Sequence, residues 1–316
     1  MPTHLTDTLL KSYLTNTLTP CLFLDIDGTL APFTLAPTDS KIPDNTLIRL
    51  KKLQCLGVFI AIITGRSLGE ARQMLTRLPF PEWVNVPIGA THGLEIALTA
   101  DSAPVVAYFV TDELPLIVAK IEAQCKSLKG EGFLLEKKPY SVALHYRQNP
   151  ALADTAWQMM QTTADNFPNW QLKPGKFVWE IMPKGVDKGQ AVTTILSHVK
   201  QRFNQSHTPP LNPLNLSLFP IFIGDDVSDE AGFLAVQAAG GMGIKVGEPQ
   251  PNVSDNPSHA NFYVKDIDEV AQILDLIYHR YHLKQNTNPS VNLPFSPQLS
   301  QRYEPCYRVI QSGKNA

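Results

Sequence analysis

The chain is short of cysteine, of net charge and of long apolar runs, and each shortage removes a class of function. Its four cysteines, Cys21, Cys55, Cys125 and Cys306, are scattered through 316 residues with no C-x-x-C pair and no zinc-ligand spacing. A disulfide framework or sulfur-ligated metal is therefore not expected; Cys21 lies in an apolar segment, where a thiol behaves as a small hydrophobe. A formal net charge of −2 speaks against the basic face of a nucleic-acid binder. No stretch approaches the roughly 20 apolar residues that span a bilayer. Met1–Pro20 lacks the basic start and apolar core of a secretory signal. No internal repeat is evident. These absences leave a soluble protein of a reducing, cytoplasmic setting. It is expected to act as a monomer on a small molecule, with no nucleic-acid or membrane partner.

What is present is a substantial core and one informative decapeptide. Apolar residues make up 43% of the chain, and its length suits one large or two moderate domains. Cys21-Leu22-Phe23-Leu24 has the length and composition of a strand covered on both faces. It runs straight into Asp25-Ile26-Asp27-Gly28-Thr29. In an open α/β sheet, ligands bind at the carboxyl ends of the strands. Asp25 and Asp27 share a direction because side chains on extended backbone repeat with period two. Gly28 permits a sharp turn that brings a backbone amide close to an anion. This pattern suits phosphoryl transfer with an aspartate nucleophile.

Strand and helix signals then alternate. Asp44 is placed to cap a helix to about Leu56, Val58–Ile63 reads as a second buried strand, and Ser67 and Glu70 have the spacing of a capping box opening a helix to about Leu78. The implied fold class is α/β, a doubly wound parallel sheet. From about Ala103 the texture changes. A helix over Glu113–Leu128, a strand over Ser141–Tyr146, a helix near Ala151–Phe167 and a strand over Phe177–Met182 suggest an α+β insert. Within it Trp157, Met159 and Met160 are expected in the core. The parallel pattern resumes with a helix from Lys188, a strand at Leu218–Ile223, a helix near Ser228–Ala238, a short strand at Gly243–Val246 and a helix over Ile267–Tyr281. The expected division is a discontinuous core of residues 1–102 and 183–284, a cap of residues 103–182 and a disordered tail of residues 285–316.

Four segments offer complementary parts of one reaction. Asp25 is the candidate nucleophile, and Asp27 the general acid and base. Thr64 offers a hydroxyl and Gly65 an amide to phosphoryl oxygens. Lys188 offers positive charge, and Asp225 and Asp229 after a buried strand offer oxygen ligands to a hard cation such as Mg2+. Asp226 either joins the metal shell or caps the next helix, and Glu230 suits the first turn of that helix. His92 is a structural histidine or a substrate contact. His145 and Arg147 share a strand face that either meets the cleft or is solvated.

In their order and their strand-end positions, Asp25-x-Asp27-Gly28-Thr29, Thr64-Gly65-Arg66, Lys188-Gly189 and Gly224-Asp225-Asp226-x-x-Asp229-Glu230 resemble the haloacid-dehalogenase-type phosphatases. Thr91-His92-Gly93-Leu94-Glu95, Ala143–Arg147 and Gly175–Ile181 are similar to segments of the trehalose-6-phosphate phosphatases, although Ser228 stands where that family more often has threonine. The resemblance implies a haloacid-dehalogenase-like core with an inserted α/β cap, Mg2+ as cofactor, and an aspartyl-phosphate intermediate. It implies that Asp25, the Asp27 carbonyl and Asp225 hold the metal with support from Asp229. Gly28, Gly65 and Arg66 would bind the phosphate side of the substrate. Glu136, Lys138, Arg147 and Glu180 would bind its sugar side. Another sugar-phosphate phosphatase, acting on sucrose phosphate or a mannosyl acid phosphate, and an inactive sugar-phosphate sensor are the rival expectations.

Overall fold

The computed structural model describes residues 1–14, 18–34, 37–78, 86–99, 104–106, 113–127, 132–205, 217–249 and 258–287. Along the chain come β1 (Thr3–His4), α1 (Asp7–Tyr13), β2 (Leu18–Leu24), α2 (Asp44–Cys55), β3 (Phe59–Ile63) and α3 (Leu68–Leu75). They are followed by β4 (Ile88–Ala90), β5 (Glu95–Ala97), β6 (Val105–Val106), α4 (Glu113–Ser127), β7 (Leu134–Lys137) and β8 (Val142–His145). Next are α5 (Ala153–Ala164), β9 (Trp170–Gly175), β10 (Val178–Pro183), α6 (Lys188–Gln205) and β11 (Ser217–Gly224). The last described elements are α7 (Glu230–Ala238), β12 (Met242–Val246), β13 (Phe262–Val264) and α8 (Ile267–Thr287).

Nine strands form one sheet in the order β1-β13-β12-β11-β2-β3-β4-β5-β6. Its pairings are parallel from β1 through β4 and antiparallel at the β5 and β6 edge. The near-continuous apolar run of β2 follows from its central place. Leu22 and Leu24 pack with α1, α2, α3 and α8 on one face, while Cys21 and Phe23 pack with α6 and α7 on the other. The sheet is therefore covered on both sides, as a doubly wound α/β fold requires.

A second, antiparallel sheet, β7-β8-β10-β9, lies between α4 and α6 in sequence. Val142 and Leu144 of β8 and Ile181 of β10 face α4 and α5, where Ile117, Ile121 and Met160 complete an apolar cluster. Ala143, His145 and Glu180 occupy the opposite side-chain parity.

Several details depart from expectation. Asp44 is the first residue of α2, not its cap; Pro43 precedes the helix and Asp44 pairs with Arg77. The Ser67–Glu70 capping box forms, but α3 ends at Leu75. Val105–Val106, expected with the insert, pairs with Glu95–Ile96 on the large sheet. A 3-10 turn at Val227–Asp229 precedes α7, and α8 continues to Thr287, past Tyr281. Residues 288–316 of the expected tail lie outside the described residues. Trp157 is 43% exposed, whereas Met159 and Met160 are buried; all three are on α5, and Trp157 falls on its outer face.

A buried and an exposed aromatic predict unequal mutational costs. Phe222 is fully buried, with its ring 5.5 Å from that of Phe233. Phe222→Ala is expected to lower unfolding free energy by about 3–5 kcal/mol, and Trp157→Ala by under about 1 kcal/mol, both measurable by urea denaturation.

Candidate active site

Three neighbouring strands end at one place. Leu24 of β2 lies between Ile223 of β11 and Ile62 of β3, so the residues that follow, Asp25, Asp225 and Thr64, emerge along one edge of the sheet. The Asp25 amide donates to the Ile223 carbonyl at 3.0 Å, which keeps the two strand ends in register. Lys188, the first residue of α6, reaches beneath them: its Nζ donates to Asp25 Oδ1 at 2.9 Å and to Asp229 Oδ1 at 2.7 Å. The other Asp229 oxygen accepts from the Asp226 backbone amide at 2.8 Å.

The side chains of Asp25, Asp225, Asp229 and Lys188 are largely removed from water. Burial opposes the charge on Lys188, but Asp229 and Asp25 outweigh it and hold the ammonium well above its ordinary range. Burial, with Asp229 and Asp225 adding, pushes Asp25 well above the usual carboxylate range against the pull of Lys188. Burial and then Asp229 push Asp225 up to about 7. Carboxylate oxygens of Asp25, Asp225 and Asp229 lie within 4.8 Å of one another. Three hard oxygen donors facing one buried ammonium leave a surplus of negative charge, which fits a divalent cation of the Mg2+ type. Gly28 makes this convergence possible: it has φ +81°, and a Cβ there would stand 2.2 Å from Asp225 Oδ2.

Asp27 stands apart from that carboxylate cluster. Arg66 grips it at two points, Nε to Oδ2 and Nη2 to Oδ1, both 2.7 Å, and Ser40 Oγ donates to Oδ1 at 2.8 Å. Arg66 thus engages the candidate acid/base itself. Burial works against its charge, but Asp27 and Glu70 raise its pKa above the ordinary value. Thr64 is buried, and its Oγ1 accepts from the Arg66 amide at 3.2 Å.

The second sheet closes the other side of the cleft. Glu180 of β10 accepts from Ser141 Oγ at 2.5 Å and from Lys138 Nζ at 3.0 Å, and lies 3.2 Å from His92 Nε2. Lys138 also donates to the Gly65 carbonyl at 2.9 Å. Burial would raise the Glu180 pKa, but Lys138 and His92 dominate and hold it far below the usual carboxylate range. Glu136 Oε2 meets His145 Nε2 at 2.7 Å, and that bond with the nearby Lys138 outweighs burial and depresses its pKa. Arg147 donates to the Thr34 carbonyl and stacks 3.8 Å from the Phe33 ring centroid. Burial lowers the Arg147 pKa. One cleft is lined by residues of both groups, among them Asp25, Asp27, Thr64, Lys188, Asp225, Glu136, Lys138, Arg147 and Glu180.

A family model described as trehalose-phosphatase matches residues 23–268. This chain belongs to the trehalose-phosphatase family. The trehalose-6-phosphate phosphatase of Escherichia coli (strain K12) is 29% identical over 272 residues, 85% of this chain and 90% of that protein. The solved C-terminal domain of the C. albicans trehalose-6-phosphate phosphatase superposes with TM-score 0.71 at 21% identity, covering 88% of this chain and 98% of its own. A haloacid dehalogenase-like hydrolase from Bacteroides thetaiotaomicron superposes with TM-score 0.56 at 15% identity, covering 82% and 99%. The two solved structures bear on the fold, which is haloacid-dehalogenase-like.

As a member of the trehalose-phosphatase family the chain is a phosphatase, and its cleft residues have partners that sequence patterns do not single out. Ser40, Ser141 and Phe33 lie in segments with no distinctive spacing, and only the folded arrangement joins them to Asp27, Glu180 and Arg147. Lys176 lies in the Gly175–Ile181 stretch and places Nζ 3.4 Å from Asp225 Oδ2 and 4.4 Å from the Phe33 ring centroid. His145 faces the cleft, which decides between its two expected settings. Asp226 accepts from the Val227 amide and so caps the turn before α7.

Lys188 neutralises carboxylates that cannot reach bulk water. Lys188→Met is expected to destabilise the substrate-free, metal-free protein by about 3–5 kcal/mol at pH 8. Burial already holds the folded-state pKa of Asp25 above its unfolded value, and loss of the ammonium removes the partner that pulls it down. The ionised carboxylate then costs more stability above that pKa, and protonation relieves the cost as pH falls. Urea unfolding should therefore show the gap between variant and wild type narrowing from pH 8 to pH 5.

Proposed function

We propose that this phosphatase hydrolyses trehalose 6-phosphate to trehalose and phosphate through a phosphorylated Asp25, the last step in making the disaccharide. The observation that carries the proposal is the position of Asp25. It is a buried carboxylate at a central strand end, 2.9 Å from Lys188, in the same cleft as the Glu136, Lys138 and Glu180 groups of the second sheet.

Each step belongs to a named group. Asp25 attacks phosphorus while the bond from phosphorus to the sugar 6-oxygen breaks, and Asp27 delivers a proton to that oxygen. Asp27, now a carboxylate and held in place by Arg66, takes a proton from water. That water attacks phosphorus, the bond to Asp25 breaks, and phosphate leaves. Thr64, Gly65 and Lys188 hold phosphoryl oxygens throughout. Asp25 and Asp225, with the Asp27 carbonyl and support from Asp229, would hold Mg2+. When the ion is bound, its charge would offset the repulsion between an anionic nucleophile and an anionic phosphate.

Glu136, Lys138, Arg147 and Glu180 supply fixed donors and acceptors for sugar hydroxyls. A site built to hydrogen-bond hydroxyls rejects substrates lacking them, because its polar groups are then left unpaired. We assign residues 103–182, apart from β6, to a cap whose closure on the core excludes water from the phosphorylated aspartate.

The test is phosphate release from trehalose 6-phosphate, glucose 6-phosphate, sucrose 6-phosphate and an aryl phosphate, with Mg2+ and with chelator. Turnover confined to the first, lost with chelator and abolished in a folded Asp25→Asn variant, is expected. Preference for sucrose 6-phosphate would replace the substrate. Binding of trehalose 6-phosphate without turnover would make the chain a sensor.

A further inference from the structure

Glu180 is held by three side chains, Ser141, Lys138 and His92, and these partners come from two places. Ser141 and Lys138 belong to the second sheet and its loops, whereas His92 belongs to the turn after β4 on the large sheet. That turn is strained: Thr91 has φ +46° and His92 φ +56°, left-handed values that a β-branched residue rarely adopts. What over-determines the turn is its grip on the phosphate loop. The Thr91 amide donates to the Arg66 carbonyl at 2.8 Å and the His92 amide to the Thr64 carbonyl at 2.9 Å. Thr91 Oγ1 donates to the buried Glu95 at 3.0 Å, which anchors the turn from behind.

The His92 ring then spans the interval between that loop and the insert. On one side it lies against Gly65, where a Cβ would come within 2.7 Å of Nε2. On the other side the same Nε2 meets Glu180 at 3.2 Å. Lys138 repeats the connection, joining the Gly65 carbonyl to Glu180. With the hydrogen on Nε2, which the carboxylate partner requires, the imidazole is a donor to Glu180.

We infer that His92 is a positioning residue that couples sugar recognition at Glu180 to the phosphate loop Thr64–Arg66. This rests on the sugar-phosphate assignment above. The backbone of the turn holds the loop, and the imidazole fixes Glu180 relative to it. A sugar that engages Glu180 is thereby registered against the position of its own phosphate. A substrate with no sugar to present gains nothing from the link.

Backbone and side-chain roles separate experimentally, because His92→Ala keeps both amide bonds and removes only the imidazole. In steady-state kinetics on trehalose 6-phosphate, kcat/KM is expected to fall about tenfold to a hundredfold, as for loss of a hydrogen bond to a charged group. On p-nitrophenyl phosphate the same variant should stay within about twofold of wild type. His92→Gln, which keeps an N–H donor at similar reach, should recover most of the loss. The double variant His92→Ala with Glu180→Ala should be no worse than Glu180→Ala alone. Equal losses on both substrates would show that the ring merely props the loop and would overturn the inference, as would fully additive losses in the double variant. Failure of the substrate assignment appears separately and earlier, as a wild-type enzyme that turns over the aryl phosphate but no sugar phosphate; that result removes the coupling as well.

Discussion

The Lys188 ammonium between Asp25 and Asp229 is the interaction on which the rest of the site depends. Buried charges are tolerated only when paired and hydrogen-bonded, and this ammonium is the buried cation that touches both carboxylates. Its placement requires that α6 begin at the level where β2 and β11 end, so the alignment of one helix start with two strand ends is an electrostatic requirement as well as a packing one. The apolar contacts of Ala191, Val192 and Ile195 with Phe23 and Ile63 bring α6 to that level. The same helix that closes one face of the core therefore delivers the charge that offsets the buried Asp25 carboxylate.

The surplus of carboxylate remaining after Lys188 gives the site its chemistry. Burial and then Asp229 push the Asp225 pKa up to about 7, so a hard dication there would both relieve repulsion and compete with a proton for the same oxygens. Across the cleft the second sheet uses opposite logic. There each carboxylate has its own partner, Glu136 with His145 and Glu180 with Lys138. One half of the cleft carries more carboxylate than buried cation, and in the other each carboxylate is already hydrogen-bonded to a fixed partner. That division matches a substrate with a charged end and a polar, neutral end.

Much of the core could be read in the sequence, because strands covered on both faces leave continuous apolar runs and because Asp25, Thr64 and Asp225 follow such runs directly. Elements without that pattern were hidden. The two-residue strands Thr3–His4 and Val105–Val106 have no periodicity of their own and exist only through their partners Phe262–Tyr263 and Glu95–Ile96. In the second sheet, Leu134–Lys137 and Trp170–Gly175 carry charged residues or a proline and glycine where a strand signal would need apolar alternation. Side-chain partnerships between distant segments were equally invisible: nothing local to Arg66 reveals that it clamps Asp27, and nothing local to His92 reveals that it reaches Glu180. The site's residue types were legible, but the pairing among them is a property of the fold.

The proposed mechanism requires that Asp25 become phosphorylated, and trapping the phosphorylated residue tests this directly. Borohydride added during turnover of trehalose 6-phosphate with Mg2+ reduces an aspartyl phosphate to homoserine, and peptide mass spectrometry locates the change. Homoserine at position 25, dependent on substrate and absent with chelator, is the expected result. Sustained turnover with Asp25 unmodified, or with the label at another carboxylate, would contradict the claim.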